Sequence, residues 1–290
     1  MFKVFAFLKR NAQLTHDEYR AGHIGYHSGH SRRMKGMRGY CVNVWANRDL
    51  NEALGPLHGA ITRGAPADFL DQWDGFPCVH FDSYDTWVGS SEPEKTRAMA
   101  EGLVVDPDRT PDDAPYLFDV VPGTNGQFRS NHVRMDEHVM LPVERVEYKQ
   151  TKLVQFFRRN PALSEAAFSA GLLTRHGPLA ARMKGLNGYI ANLRDRDIDS
   201  AIRAFYPPDD WRFTGEGRTE REAFCGQWDG ANEMWFDSLD AFRAARTDPA
   251  IAPELDALER HLFEAVWYVE VDESVIVMPN RDPAPAFYYR

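Results

Sequence analysis

The N-terminal part of the chain alternates between apolar and polar positions in blocks that predict discrete secondary-structure elements. Residues 3–10 have the composition of a strand, and Thr15 followed by Glu18 is a capping box that predicts the start of a helix. Gly36 stands where that helix should end, since a C-terminal cap often needs a left-handed backbone. The pattern then predicts strands at 39–45, 76–82 and 133–141 and a helix over 83–103.

The second half of the chain repeats the first. The segment beginning at Lys3 aligns without a gap on the segment beginning at Lys152, with fifteen of 42 positions identical. Further blocks align 72–75 on 227–230, 81–83 on 236–238 and 135–137 on 271–273. The helix of the second half has a cap at Ser164, and Gly185 follows it. We therefore expect two domains, 1–145 and 150–278, followed by a tail at 279–290.

The order of elements in each half is β-α-β-β-α-β, the split βαβ arrangement of ferredoxin-like domains. Such a sheet has helices on one face and leaves the other face bare, so the bare face must be buried. Two tandem copies can bury their bare faces against each other. The fold class predicted by the sequence is α+β, with two tandem ferredoxin-like domains forming a barrel within one chain.

Composition narrows the range of functions. The chain has 290 residues and a formal net charge of -9. No run approaches the roughly 18 apolar residues of a membrane helix, and the N-terminus lacks a signal-peptide pattern. Three cysteines without a CxxC pair predict reduced thiols. Lysine and arginine form no basic face for a phosphate backbone. We expect a cytoplasmic protein that binds neither membrane nor nucleic acid.

Several short motifs occur in the same order in both halves and resemble the EthD family of dimeric α+β barrels. They are the basic pairs Lys9-Arg10 and Arg158-Arg159, the late helical histidines His27 and His176, the Gly-x-x-Gly-Tyr turn into a strand ending at Asn43 or Asn192, and Phe-Asp-Ser before a helix. The resemblance implies a barrel that encloses a pocket for an apolar or aromatic small molecule. It also implies that the fused halves replace the usual pair of chains, and it leaves open a further homodimer.

Histidines are concentrated in the first half. Eight of the ten lie before residue 140. On the first predicted helix, His23 and His30 stand where the second half has Leu172 and Leu179. Replacing a buried leucine with imidazole gives up roughly 1.5–3 kcal/mol of transfer free energy and leaves nitrogens that need partners. This asymmetry favours chemistry in the first half, with the second half degenerate. The alternative is that these are structural histidines with satisfied nitrogens at a helix end or at the domain surface.

The candidate catalytic residues are His23, His27, His30 and His80. His27 occupies the family's histidine position and is expected to act as general base or acid, because the imidazole pKa lies near 6.5. Residues expected to bind or orient the substrate are Tyr26, Arg33, Asn43, Trp45, His176 and Trp235. His80 aligns with Trp235, so the two would occupy equivalent places in one cavity if their strand face points into the barrel. Arg33 is the candidate for a substrate carboxylate.

We expect no cofactor. A metal held by His23, His27 and His30 is the rival use of the cluster, because histidines at this spacing on a helix can converge on one ion. The leading hypothesis is a cofactor-independent lyase or isomerase acting on a hydrophobic aromatic or polyketide-like carbonyl compound by decarboxylation, dehydration or double-bond migration. The alternatives are a cofactor-free monooxygenase and a noncatalytic module that binds a hydrophobic metabolite.

Overall fold

The computed structural model describes residues 1–32, 34–90, 117–124, 127–203, 206 and 208–279, with the backbone alone for His30. Eight strands form its centre. Their bounds are β1 Phe2–Leu8, β2 Gly39–Trp45, β3 Gly75–Phe81, β4 Ser130–Leu141, β5 Thr151–Arg159, β6 Leu186–Arg194, β7 Gly230–Phe236 and β8 Phe263–Val277.

The strands close into one antiparallel barrel in the order β1-β3-β2-β8-β5-β7-β6-β4. The first half contributes the sheet β4-β1-β3-β2 and the second half the sheet β8-β5-β7-β6. The two sheets join along both edges, where β2 pairs with β8 and β4 pairs with β6. Because a closed barrel leaves no unpaired sheet edge, each half completes the hydrogen bonding of the other.

Alternate residues of the strands point into the barrel. The interior is largely filled by aromatic and aliphatic side chains from both halves, including Phe7, Phe76, Phe156, Trp228 and Trp267. Phe7 contacts Trp228 with ring centroids 5.6 Å apart, and Phe76 contacts Phe156 at 6.2 Å. These contacts cross from one sheet to the other, so the halves share a single core.

Helices cover the outer face of the barrel. In the first half they are His16–Gly22, which continues through a π-helical turn at His23–His27 into Ser28–Ser31, then Leu50–Leu54, Pro56–Ile61, Phe69–Gln72 and residues 84–90. In the second half they are Glu165–Gly171, a π-helical turn at Leu172–His176, Gly177–Ala180, the 3-10 turn Trp211–Phe213, Gly215–Cys225, Leu239–Arg246 and Ala252–Leu262. Two apolar clusters lie outside the barrel interior, and the one on the second-half sheet includes Leu50, Leu54 and Ile61 from helices of the first half. Phe69 and Phe224, from two other helices, pack instead with the side chains of the barrel interior.

The local signals in the sequence correspond to the observed helix ends. The Glu18 amide donates to the Thr15 hydroxyl at 3.3 Å, and the Thr15 amide donates to the Glu18 carboxylate at 2.8 Å. Ser164 accepts from the Ala167 amide at 3.1 Å. The first helix ends at Ser31 and not at Gly36 as predicted; Gly36 lies in the turn before β2, with a φ of 77°, the left-handed value expected for it. The predicted helix over 83–103 is observed at 84–90, and its remainder lies outside the described residues.

In the described part of the chain, no helix combines the length and apolar character needed to cross a membrane.

Gly75 begins β3 at a place where the neighbouring backbone leaves no room for a side chain. Its φ is 151°, and a Cβ atom placed there would lie 2.8 Å from the Val44 Cα atom. We expect Gly75→Ala to lower the free energy of unfolding by at least about 2 kcal/mol, because strained backbone and a steric clash add. Chemical denaturation measures this.

Gly59 is the matched control, since it lies in a helix and the described residues leave open space where its Cβ atom would stand. Gly59→Ala should leave the stability unchanged or raise it by up to about 1 kcal/mol, because alanine favours a helix. Equal effects of the two substitutions would contradict the close approach of β3 to β2.

Candidate functional site

One end of the barrel interior contains six charged groups, which we call the central charge cluster. Its members are Lys3, Glu137, Arg145, Lys152, Glu233 and Glu273. Lys3 and Lys152 are each 1% exposed, and the three carboxylates are no more than 8% exposed. Three positive and three negative charges balance each other, so the cluster is electrically neutral as a whole.

Glu233 joins the two halves of the cluster, because both lysines bind its carboxylate. The Lys152 ammonium lies 2.7 Å from Glu233 and 2.8 Å from Glu273, and it also donates to the Asn43 amide oxygen at 2.9 Å. Lys3 pairs with Glu233 and lies 3.0 Å from Glu137. Burial alone would raise the pKa of Glu233, but the two ammonium groups outweigh burial and lower that pKa.

The remaining two members are held in the same way. Arg145, from the segment between β4 and β5, pairs with Glu273. Burial would raise the pKa of Glu273, but Lys152 and Arg145 bring it down to about 2. Burial would lower the pKa of Lys152, yet Glu233 and Glu273 raise it. The groups therefore stay charged at neutral pH, and neither lysine is available as a neutral amine nucleophile.

His80 and Trp235 both point into the barrel at equivalent places. His80 Nε2 lies 3.3 Å from the Glu137 carboxylate, and the Trp235 indole donates to the Glu273 carboxylate at 2.9 Å. The Asn43 amide donates to the Phe76 carbonyl at 3.0 Å. These three sequence-predicted residues thus lie together around the central charge cluster, where their polar atoms support buried ion pairs.

The two cysteines beside this cluster are poor nucleophiles. Cys41 and Cys78 pair across β2 and β3, and both are buried. Burial, followed by the charge of Glu273, raises the pKa of the Cys41 thiol to about 12. Burial likewise raises the pKa of Cys78. A thiol in this state does not form the thiolate that nucleophilic catalysis needs.

The helical histidines lie elsewhere, between the first-half helices and the outer face of the sheet. His23 begins the π-helical turn and His27 ends it. A π-turn inside an α-helix is frequently found at a functional site. His23 is 1% exposed, whereas His27 is half-buried. The ring centroids of the two histidines are 5.1 Å apart.

Only one of the two ring nitrogens of His23 has a hydrogen-bond partner among the described residues. Nδ1 lies 3.2 Å from the Tyr19 hydroxyl, and Nε2 has no hydrogen-bond partner among the described residues. Burial, with a contribution from His27, holds the pKa of His23 well below its usual value, so the ring is neutral at neutral pH. A buried polar atom without a partner is costly and is often a sign of function.

Aromatic rings surround the histidine pair. The Phe118 ring lies 5.7 Å from that of His23 and 5.1 Å from that of His27, and the Tyr19 ring lies 5.5 Å from that of His23. His27 Nε2 is 3.1 Å from the Ser31 hydroxyl. The predicted substrate residue Tyr26 is 57% exposed and lies on the outer side of the helix.

The equivalent histidine of the second half, His176, has partners on both nitrogens. Nδ1 lies 3.2 Å from the Tyr189 hydroxyl, and Nε2 lies 3.3 Å from the Glu259 carboxylate. Gln155 and Arg246 also donate to Glu259, at 2.8 and 2.9 Å. Burial would raise the pKa of Glu259, but Arg246 and the His176 hydrogen bond lower it to about 2. Both ring nitrogens of His176 therefore have protein partners, unlike those of His23.

The structure therefore divides the sequence-predicted residues among different places. His23 and His27 lie in the first helical layer and His176 in the second, while Asn43, His80 and Trp235 are inside the barrel. Trp45 also points inward, where its indole donates to the Trp73 carbonyl at 2.6 Å. Arg33 and the His30 side chain lie outside the described residues.

Sequence reasoning overlooked the charged residues inside the barrel. Lys3 and Lys152 align in the repeat, as do Glu137 and Glu273. A charge at an inward position of an apolar strand, present at the same position in both halves, is the signal that could have identified them. Across the described residues, no three histidine, cysteine or acidic side chains form a group able to hold a metal ion.

Lys152 can be used to test the central charge cluster. Lys152→Met should lower the free energy of unfolding by about 3–5 kcal/mol, because it leaves buried carboxylates without their partner. Lys184→Met is the control, since Lys184 is 84% exposed in its pair with Asp248. The control should change stability by no more than about 1 kcal/mol. A Lys152→Met protein as stable as the control would contradict the role given to this cluster.

His23→Leu places the second-half residue at the first-half position and should alter the pH dependence of stability. Below pH 6.5 the unfolded chain protonates His23 while the folded chain does not, so the native protein loses stability as pH falls. Between pH 8 and 5 the variant should gain about 2 kcal/mol relative to the natural protein. Urea denaturation at both pH values measures the gain. A stability difference independent of pH would show that His23 is not held neutral.

Comparisons with known proteins bear on the fold. Residues 160–262 match the EthD domain model. No curated protein matches the chain significantly. A "putative monooxygenase" from Fusobacterium nucleatum has 7% identity and a TM-score of 0.51, with 94% of this chain and 92% of that chain covered.

Two further solved structures align over most of the chain. An "anthrone oxidase-like protein" has 8% identity and a TM-score of 0.45, with 98% and 96% of the two chains covered. A "putative monooxygenase" from Lactobacillus acidophilus NCFM has 9% identity and a TM-score of 0.46, with 96% of each chain covered. The chain thus carries an EthD domain match in its second half, within a mixed α+β fold similar to that of the Fusobacterium protein.

Proposed function

We propose that the protein is an enzyme that moves a proton on a hydrophobic aromatic or polyketide-like carbonyl compound, with His23 and His27 as its acid-base groups. The observation that carries the proposal is the buried, unpartnered Nε2 atom of a neutral His23. His176 is the contrast, because Tyr189 and Glu259 engage both of its ring nitrogens and leave neither for a substrate.

Tyr19 prepares His23 for this role. Burial raises the pKa of the Tyr19 hydroxyl well above its usual value, so it remains a phenol beside Nδ1. When Nδ1 carries the proton and donates to Tyr19, the lone pair of Nε2 is free to accept a proton from a substrate. Tyr19 in this account fixes the tautomer and orientation of the base and is a positioning residue.

His27 and Phe118 complete the proposed site. The His27 ring is near that of His23 and is half-buried, so it can pass a proton between His23 and water. Phe118 packs edge-on against both imidazoles and offers an apolar wall for an aromatic ring. In this proposal His30 assists as a third imidazole, and Arg33 binds a substrate carboxylate.

In isomerisation and dehydration, the base removes a proton beside a carbonyl to give an enolate. The enolate is then protonated at another carbon, or it expels a β-hydroxyl group that leaves as water with the proton of the imidazolium. In decarboxylation, loss of carbon dioxide from a β-keto carboxylate gives the enolate, and an imidazolium protonates its carbon. A lyase or isomerase of this type uses only imidazole groups and the substrate. We therefore propose a cofactor-independent reaction. This proposal places no reacting atom at His80, Asn43, Trp45, Trp235 or His176. Their engaged atoms are His80 Nε2, the Asn43 amide, the two indole N–H groups and both nitrogens of His176.

Cofactor-free oxygenation is the second candidate. It is favoured by the name of the Fusobacterium structure, a "putative monooxygenase" with the same fold. The chemistry begins in the same way, since deprotonation of a phenolic C–H acid gives a carbanion that can react with oxygen. A module that only binds a hydrophobic metabolite would require none of this acid-base arrangement.

We also infer that the chain arose as two EthD-like ferredoxin-like repeats, 1–145 and 150–278. The inference is supported by the same strand order in each half and by the equivalent surroundings of Lys3 and Lys152. The first repeat would hold the active histidines, and the second would serve as its structural partner.

Hydrogen–deuterium exchange tests proton removal beside the carbonyl, which is the first step of isomerisation, dehydration and oxygenation and the reverse of the last step of decarboxylation. The protein is incubated in D2O with a panel of polycyclic aromatic ketones that carry an acidic C–H, anthrone included, and exchange at that carbon is followed by NMR. His23→Leu and His27→Ala should each slow the catalysed exchange by roughly 10²–10⁴-fold, the usual contribution of a general base or acid.

His261→Ala is the control, because His261 is an exposed histidine of the second half and should leave the rate unchanged. Normal exchange in His23→Leu and His27→Ala would remove these residues from the mechanism. Binding of a ketone without catalysed exchange would favour the binding module. Oxygen uptake measured with the same ketones separates the oxygenase from the lyase or isomerase.

A further inference from the structure

A polar cleft of about 550 Å³ lies where the two halves and the segment joining them meet, and neither member of the histidine pair lines it. Its lining residues, which define what we call the linker cleft, are His16, Asp17, Arg20, Ala46, Asn47, Arg48, Lys149, Gln150, Thr151, Glu270, Val271 and Asp272. This volume is in the range of small-molecule sites.

The charges of the linker cleft are balanced but unevenly buried. Arg20, Arg48 and Lys149 oppose Asp17, Glu270 and Asp272, which gives no net charge. The side chains of Arg48 and Lys149 are 50% and 63% exposed, whereas those of Glu270 and Asp272 are 10% and 15% exposed. The cleft therefore has Arg48 and Lys149 near solvent and two carboxylates, Glu270 and Asp272, deeper in, while the third carboxylate, Asp17, is 92% exposed.

The two deep carboxylates differ in their partners. Asp272 pairs with both Arg20 and Lys149. Glu270 has only a loose ion pair with Arg48, at 3.5 Å, and its Oε2 atom accepts no hydrogen bond from any described residue. The Gln150 side-chain nitrogen is buried and likewise without a partner in the described part of the chain. An acceptor and a donor are thus left unsatisfied on the lining of one cleft.

The equivalent position in the other half is closed. The Ala46 amide donates to the Glu270 carbonyl at 2.9 Å, and the Asp195 amide donates to the Arg134 carbonyl at 3.0 Å, so Glu270 and Arg134 occupy matching places. Arg134 forms an ion pair with Asp195 at 3.2 Å. With glutamate instead of arginine, the first end lacks this closing pair.

We propose that the linker cleft binds a small, net-neutral zwitterion of the amino-acid class, with its ammonium group on Glu270 and its carboxylate on Arg48 and Lys149. The neutral lining disfavours ligands of either net charge, and the buried Glu270 oxygen needs a donor to replace lost water. Burial raises the pKa of Glu270, and a bound ammonium would stabilise its charged form. Gln150 offers a further donor to the ligand carboxylate.

Calorimetric titration of the full chain tests the proposal with serine and glutamine as zwitterions, propionate as carboxylate alone and ethylamine as amine alone. At least one zwitterion should bind, and both single-charge compounds should bind at least about tenfold more weakly, because each forms one charged contact where the zwitterion forms two. Glu270→Gln should weaken zwitterion binding by roughly ten- to hundredfold.

Glu165→Gln is the matched control, since Glu165 stands at the other end in the place of His16 and should not affect binding. The proposal fails if neither zwitterion binds at tens of millimolar, if propionate or ethylamine binds as tightly, or if Glu270→Gln binds normally. If Glu270→Gln does not fold, the proposal is tested on the natural protein alone, by comparing the affinity of the zwitterions with that of propionate and ethylamine.

Discussion

Burial of Lys3 and Lys152 against three carboxylates is the constraint on which the architecture depends. Both lysines bind Glu233, one from β1 and one from β5, so the ion pairs connect the two sheets across the barrel interior. Charges in such a position are costly unless every one has its partner. The network is satisfied only when both halves are present and in register, which ties the closure of the barrel to the pairing of β2 with β8 and β4 with β6.

This constraint also determines where chemistry can take place. Aromatic side chains and the central charge cluster, which has no net charge, occupy the barrel interior. His80, Asn43 and Trp235 each contact a charged group of that cluster. The histidine pair lies instead in the first helical layer, on the opposite face of the same sheet. There the unpartnered nitrogen of His23 is the clearest departure from a well-satisfied core.

The two halves of the barrel have different polar contacts at positions that align in the sequence. At the end of the π-helical turn, His27 and His176 occupy equivalent positions. His176 lies 3.3 Å from the buried Glu259 carboxylate, whereas His27 lies 3.1 Å from the Ser31 hydroxyl. At the barrel end, Glu270 replaces the arginine that closes the matching position, and a cleft remains open. In both cases a few substitutions within a common backbone change which polar atoms have partners.

Much of the fold was determined by the sequence itself, because strand alternation, the Thr15 capping box and the glycine at position 36 act through neighbours close in the chain. The repeat of these signals predicted two similar halves. The presence of His23 and His30 at the positions that align with Leu172 and Leu179 indicated that these histidines are unusual. Only the tertiary structure decided which of them have partners. Tyr19 is one helical turn from His23, but Phe118 and Glu259 are far in sequence from the histidines that they contact. Whether an imidazole nitrogen has a partner therefore depends largely on side chains that the folding of the chain brings together.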